Sequence, residues 1–392
     1  MSKVKLFHND HPVNISLPAA GNRTVSLIDY IAENCPSLVG PNAIFKSTPY
    51  LLNGHLQTAY AAYYNHYPTA NEVQYERELL TTSDGGTIAL DWCSKKDGLE
   101  NDTTPTLVVL HGLTGGSHES YIRGLLEVLC YPPFNYRAVV LNSRGCANSE
   151  ITSPQMYSGG YTEDLRAALI HIQKRLGPKT PLIGIGFSLG SNILVKYLGE
   201  EGDKTPFKAA ISVANPFDFR LSMDRLCETY IGRYVYSSVM TKNLKATAAR
   251  HLDILSKNGT INPTEVMAAR NIREFDNACT RKMFGYTTVN NYYRDASSCR
   301  FIEHVKIPLL CMNALDDPIA PVQSIPYDEI KVNPYVVLAT TDRGGHIGWF
   351  EGFRYPTRWV IKPLAEFIVA MFKAHDVKEI KRTDHKQEID PN

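Results

Sequence analysis

From residue 106 onward the chain alternates short apolar runs with amphipathic stretches. Thr106-Leu-Val-Val-Leu110 is a continuous apolar run closed by His111-Gly112, the pattern of a strand buried on both faces. Arg137-Ala-Val-Val-Leu-Asn142 repeats that pattern. Leu165, Ala168, Leu169, Ile172 and Leu176 then fall at offsets 0, 3, 4, 7 and 11, one face of a helix over 162–176 that Gly177-Pro178 ends. A strand at 181–186, a helix at 192–198 and a strand at 209–213 follow. Buried strands alternating with amphipathic helices predict an α/β protein, a mostly parallel sheet flanked by helices.

The alternation lapses over 218–298, a stretch rich in Arg, Tyr, Met and Asn with helical patches at 226–239 and 263–274. It resumes with strands at 308–312 and 335–339 and a closing helix at 359–373. The expected organisation is an N-terminal arm packed on the core (1–80), a first core part (81–217), an inserted helical cap (218–298) and a second core part (299–375). A charged tail (376–392) is expected to be disordered. The arm reads as irregular, with one helical patch near 26–33.

Composition excludes several classes. Of 392 residues 43% are hydrophobic, too many for a disordered chain. Forty-one Lys+Arg against forty Asp+Glu leave a net charge of +1, which gives no long-range pull on nucleic acid, so no nucleic-acid partner is expected. The first 22 residues show no apolar core of a signal peptide, and no run reaches the roughly 18 apolar residues of a membrane span. The eight cysteines are scattered without a CxxC pair, which predicts reduced thiols in a cytoplasmic protein rather than a zinc cage or disulfide framework. No metal and no organic cofactor are expected.

The chemistry centres on Gly186-Phe187-Ser188-Leu189-Gly190, between a predicted strand and a predicted helix. A sharp strand-to-helix turn would present the Ser188 hydroxyl at a helix N-terminus, and flanking glycines would let the two elements approach closely. A serine nucleophile needs a base and an orienting carboxylate. Of twelve histidines, His346 in Arg343-Gly-Gly-His-Ile-Gly348 lies on a loop after the last strand, where glycines allow an imidazole to reach the elbow. The acid belongs on the loop after the preceding strand, where Leu315-Asp316-Asp317-Pro318-Ile319 offers two carboxylates. Asp317 is the choice because Asp-Pro-Ile-Ala-Pro matches the usual ending of such a loop; Asp316 is the alternative, and the unused aspartate would cap the turn. Oxyanion donors are expected from the backbone N–H groups of Leu189 and, in His111-Gly-Leu-Thr-Gly-Gly116, of Leu113, with His111 bracing the loop. That loop lacks the Gly-Lys-Ser/Thr ending of a phosphate-binding loop.

These motifs together resemble the AB hydrolase superfamily, family four. The matching segments are Asn53-Gly-His-Leu-Gln-Thr58, His111-Gly-Leu-Thr-Gly-Gly-Ser117, Asn142-Ser-Arg-Gly-Cys146, Gly186-Phe-Ser-Leu-Gly-Ser-Asn192, Asn215-Pro-Phe-Asp218, Asn313-Ala-Leu-Asp-Asp-Pro318 and Gly344-Gly-His-Ile-Gly348. The resemblance implies an α/β-hydrolase fold and a charge-relay triad of Ser188, Asp317 and His346. It implies esterase or acylglycerol lipase activity on medium-chain fatty acyl or monoacylglycerol esters. Acyl transfer from acyl-CoA to an alcohol through the same acyl-enzyme is the alternative, and a non-catalytic binding module the remote one. Mammalian members begin with a membrane-anchoring helix that this sequence does not show, so attachment to membranes or lipid droplets is expected to be peripheral. Tyr230, Tyr234, Tyr236 and Met240 are candidates for an acyl-pocket lining, against the plainer reading that they are core. The acyltransferase-like spacing His385…Asp390 falls in the charged tail and reads as accidental.

Overall fold

The computed structural model describes residues 1–17, 23–64, 73–93, 103–374 and 376–378. Its central sheet has nine strands: β1 (Lys5–His8), β2 (Glu76–Thr81), β3 (Thr87–Cys93), β4 (Thr106–Leu110), β5 (Arg137–Asn142), β6 (Leu182–Phe187), β7 (Phe207–Val213), β8 (Leu309–Ala314) and β9 (Val336–Thr341). They run in the order β1-β9-β8-β7-β6-β4-β5-β3-β2. The six strands from β9 to β5 are parallel, while β1, β3 and β2 pair antiparallel at the two margins.

Strand residues alternate between two apolar layers. Leu107 and Val109 pack with α3 (Ser120–Leu129) and α9 (Ile361–Lys373), and α1 (Leu27–Asn34) joins that layer. Val108 and Leu110 pack with α4 (Glu163–Leu176) and α5 (Leu189–Glu201). Burial on both faces is why these strands read as unbroken apolar runs.

Between β7 and β8 the chain is helical. It forms α6 (Phe219–Glu228), a wide π turn (Gly232–Tyr236), α7 (Ser237–Ala249), several short helices and α8 (Val289–Ala296). The patch predicted at 226–239 is not one helix, because Thr229 turns extended at ψ 143° and ends α6. The patch at 263–274 is likewise broken where Ala269 turns extended.

Two further expectations are corrected. The first 80 residues are not simply an arm, since β1 and β2 form the opposite edges of the central sheet. Both are edge strands with half-exposed side chains, so neither carries the apolar run that marks a central strand. The tail does not leave the fold at 376: Asp376–Lys378 pairs with Asn14–Leu17, which pairs with Arg23–Ser26. His385 and Asp390 lie outside the described residues. All eight cysteines are free, and no described helix is long and apolar enough to cross a membrane.

Candidate active site

Ser188 occupies the turn between β6 and α5 with φ 52° and ψ −117°, a conformation costly for a residue with a side chain. The flanking glycines make the turn sterically possible. A Cβ at Gly186 would lie 2.5 Å from the Gly190 carbonyl oxygen, and one at Gly190 would lie 2.5 Å from the His111 carbonyl oxygen. The Ser188 amide is tied to the Val213 carbonyl of β7, and its own carbonyl accepts from Ser191 and Asn192 in the first turn of α5. The strained serine is thus held from both sides.

His346 lies 2.8 Å through Nε2 from Ser188 Oγ and 2.8 Å through Nδ1 from Asp317 Oδ2. A carboxylate only accepts, so Nδ1 carries the proton and Nε2 is left to accept from the serine hydroxyl. Asp317 is buried, and its other oxygen accepts from the amides of Ile319 and Ala320, which locks its rotamer.

Of the two aspartates, the structure brings Asp317 and not Asp316 to the imidazole. The expected division of labour is otherwise reversed, because Asp317 itself caps the turn. Asp316 accepts instead from the Gly345 amide and so holds the loop that carries His346. Burial raises the Asp316 carboxyl above its ordinary range.

That loop also leans on α2 (Gly54–Tyr64), whose part was not legible in the sequence. The His346 amide donates to Thr58 Oγ1, and Gln57 takes the Phe350 amide while donating to the Leu51 carbonyl. A Cβ at Gly54 would overlap the Asp316 carbonyl oxygen at 1.8 Å, so only glycine lets α2 sit there. The signal was present in the Asn53–Thr58 segment, but as a motif without a stated task.

Leu113 and Leu189 both adjoin Ser188 in the wall of one cavity. Tyr121 and Tyr157, which sequence reasoning missed, clamp the Leu113 loop. The Gly112 amide donates to Tyr121 Oη at 3.0 Å and the Thr114 amide to Tyr157 Oη at 2.8 Å. The Leu113 amide between them has no acceptor among the described residues. His111 braces the loop as expected, with Nδ1 donating to the Gly112 carbonyl and Nε2 accepting from the Ser143 amide. Burial pushes its pKa down to about 4, so it stays neutral. Further back, Ser117 donates to Asp91, which Arg77 grips through both carboxylate oxygens at 2.7 Å.

The cavity beside Ser188 measures about 830 Å³ with its open mouth, and Met156, Phe219, Met240, Leu244, Phe275 and Met283 contribute apolar walls. Met240 is therefore a lining residue, whereas Tyr230 and Tyr234 are neither lining nor core and stand 78% and 59% exposed. Tyr236 stacks on His55 at 5.7 Å outside the cavity. Among the described lining residues, one carboxyl sits in the apolar wall. Burial pushes the Asp276 carboxyl up to about 6, and it accepts from Thr280 and Tyr293.

A parallel sheet with a strained serine at the end of a central strand defines a hydrolase-fold protein. The chain belongs to the alpha/beta hydrolase fold family, whose profile matches residues 105–352. Its relatives are those of family four. It is 34% identical to the monoacylglycerol lipase of Saccharomyces cerevisiae, over 95% of this chain and 90% of that protein. It is 34% identical to human phospholipase ABHD3, over 87% and 82%. It is 31% identical to the yeast medium-chain fatty acid ethyl ester synthase/esterase 2, over 90% and 92%. The chain is thus an alpha/beta hydrolase with lipase and esterase relatives.

Proposed function

We propose that the chain is a serine carboxylester hydrolase acting on medium-chain fatty acyl or monoacylglycerol esters. The observation that carries this reading is the Ser188–His346–Asp317 chain of 2.8 Å contacts at the edge of an apolar cavity. Ser188 Oγ attacks the ester carbonyl as its proton passes to His346 Nε2, and Asp317 stabilises the resulting imidazolium. The amides of Leu113 and Leu189 receive the oxyanion, each typically worth about 3 kcal/mol of barrier. His346 then protonates the leaving alcohol, and water repeats the sequence on the acyl-enzyme. The cavity walls are predominantly apolar and suit an acyl chain.

An alcohol in place of water would give ester synthesis through the same intermediate, a second reading favoured by the name of the yeast ester synthase/esterase relative. The cytoplasmic location with peripheral lipid attachment belongs to this proposal as well. The test is turnover of p-nitrophenyl esters from acetyl to palmitoyl, wild type beside Ser188→Ala, with and without ethanol. Loss of turnover by roughly 10³-fold or more in Ser188→Ala, with a rate optimum at medium chain length, is expected. Equal rates would sink the triad, and ethyl ester product would move the assignment to acyl transfer.

A further inference from the structure

The segment from Thr229 through α7 has two faces with different surroundings. Inward, Met240 and Leu244 line the cavity beside Ser188, and Ser237 and Thr241 are buried. Outward, Tyr230, Ile231, Tyr234, Val235 and Val239 are all exposed, five large apolar or aromatic side chains within ten residues. The rings of Tyr230 and Tyr234 lie 4.8 Å apart, and the stack of Tyr236 on His55 joins this face to exposed Leu52 and Leu56. Single exposed apolar side chains are ordinary, but a cluster of them marks a surface that meets something.

Charge narrows what it meets. Residues 229–252 contain Arg233, Lys242, Lys245 and Arg250 and no Asp or Glu, in a chain whose net charge is only +1. Just upstream, Arg220 and Arg225 are matched by Asp224 and Glu228. Lys245 and Arg250 lean on backbone carbonyls and keep their charge unpaired by any described carboxylate, while Arg233 and Lys242 are exposed. Tyrosine and aliphatic side chains beside unpaired cations form the composition that settles at the headgroup level of an anionic bilayer. Each basic residue near such a surface adds to the attraction, and salt screens it.

We propose that this outer face docks the protein on an anionic phospholipid membrane. It rests on the proposed ester-lipid activity for its purpose: the helix that meets the membrane is the one whose other face walls the acyl cavity.

The test is flotation of the full chain with phosphatidylcholine vesicles, with and without about 30% phosphatidylserine. Wild type is expected to float with the anionic vesicles and to be released as salt screens the attraction. The variant Tyr230→Ser/Tyr234→Ser/Val235→Ser is expected to bind at least about tenfold more weakly. Arg233→Glu/Lys242→Glu is expected to lose the preference for phosphatidylserine. Both should hydrolyse a water-soluble short-chain ester at the wild-type rate, because these side chains touch neither Ser188 nor the cavity. A wild type that does not float, or a triple variant that floats like wild type, overturns the proposal. So does a wild-type dimer that the triple variant dissolves without any vesicle binding, which would assign the face to a second copy. Because flotation reads no turnover, a failed hydrolase reading and a failed docking reading are told apart.

Discussion

At the residue scale, the Leu113 loop is held by two phenol hydroxyls, those of Tyr121 and of the cavity-lining Tyr157. Tyr121 and Tyr157 each occupy one amide beside Leu113, whose own N–H has no acceptor among the described residues. Replacing either by Phe removes the hydroxyl that accepts the amide, and at Tyr157 also its bond with Cys146. In the proposed mechanism the oxyanion forms only in the transition state, so kcat should fall roughly tenfold with KM within about twofold. Steady-state kinetics on one ester check this, and a KM rise at constant kcat would refute it. The paired aspartates separate in the same way. Asp317→Asn should cost roughly 10³- to 10⁴-fold in kcat by presenting the wrong histidine tautomer. Asp316→Asn keeps the Gly345 contact and should cost about tenfold or less, and reversed magnitudes would reassign the acid.

At the scale of elements, the histidine loop is positioned by a helix from the other end of the chain. Gly54 lets α2 approach the Asp316 backbone closely, and Thr58 on the next turn takes the His346 amide. Gly54→Ala must push α2 and that loop apart. A displacement of about 1 Å at a catalytic group costs on the order of 100-fold, and that loss in kcat is the expected outcome. A variant of wild-type activity would show that the loop does not need α2.

At the scale of the whole molecule, two buried groups tilt stability against pH in opposite directions. His111 has its pKa lowered from 6.5 to about 4 by burial, so its contribution is fully present above pH 6.5 and is lost as pH falls toward 4. Asp276 is raised from 3.8 to about 6, so its contribution is present below pH 3.8 and is lost as pH rises through 6. Each amounts to about 3 kcal/mol at most, and together they largely cancel between pH 4 and 6.5. Asp276→Asn should therefore gain stability relative to wild type as pH rises from 4 to 7. Urea unfolding at both pH values checks it, and a pH-independent difference would refute it.

The parallel core, the strand-to-helix turn at Ser188 and the glycine-flanked loop of His346 were legible in the sequence, because each is written in local order. Strands buried on both faces read as apolar runs, and a serine between two glycines at a strand-to-helix junction has one plausible geometry. The sequence also offered Asp316 and Asp317 as the acid. That Asp317 meets the His346 ring and Asp316 the Gly345 amide is visible in three dimensions alone, since neighbouring carboxylates on one turn differ in direction and not in type. The sheet edges β1 and β2, the α2 brace and the two tyrosine clamps escaped the sequence for a related reason. Their partners lie far along the chain, up to 288 residues for Thr58 and His346, and a half-exposed strand or a buried phenol carries no periodic mark of the group it will meet.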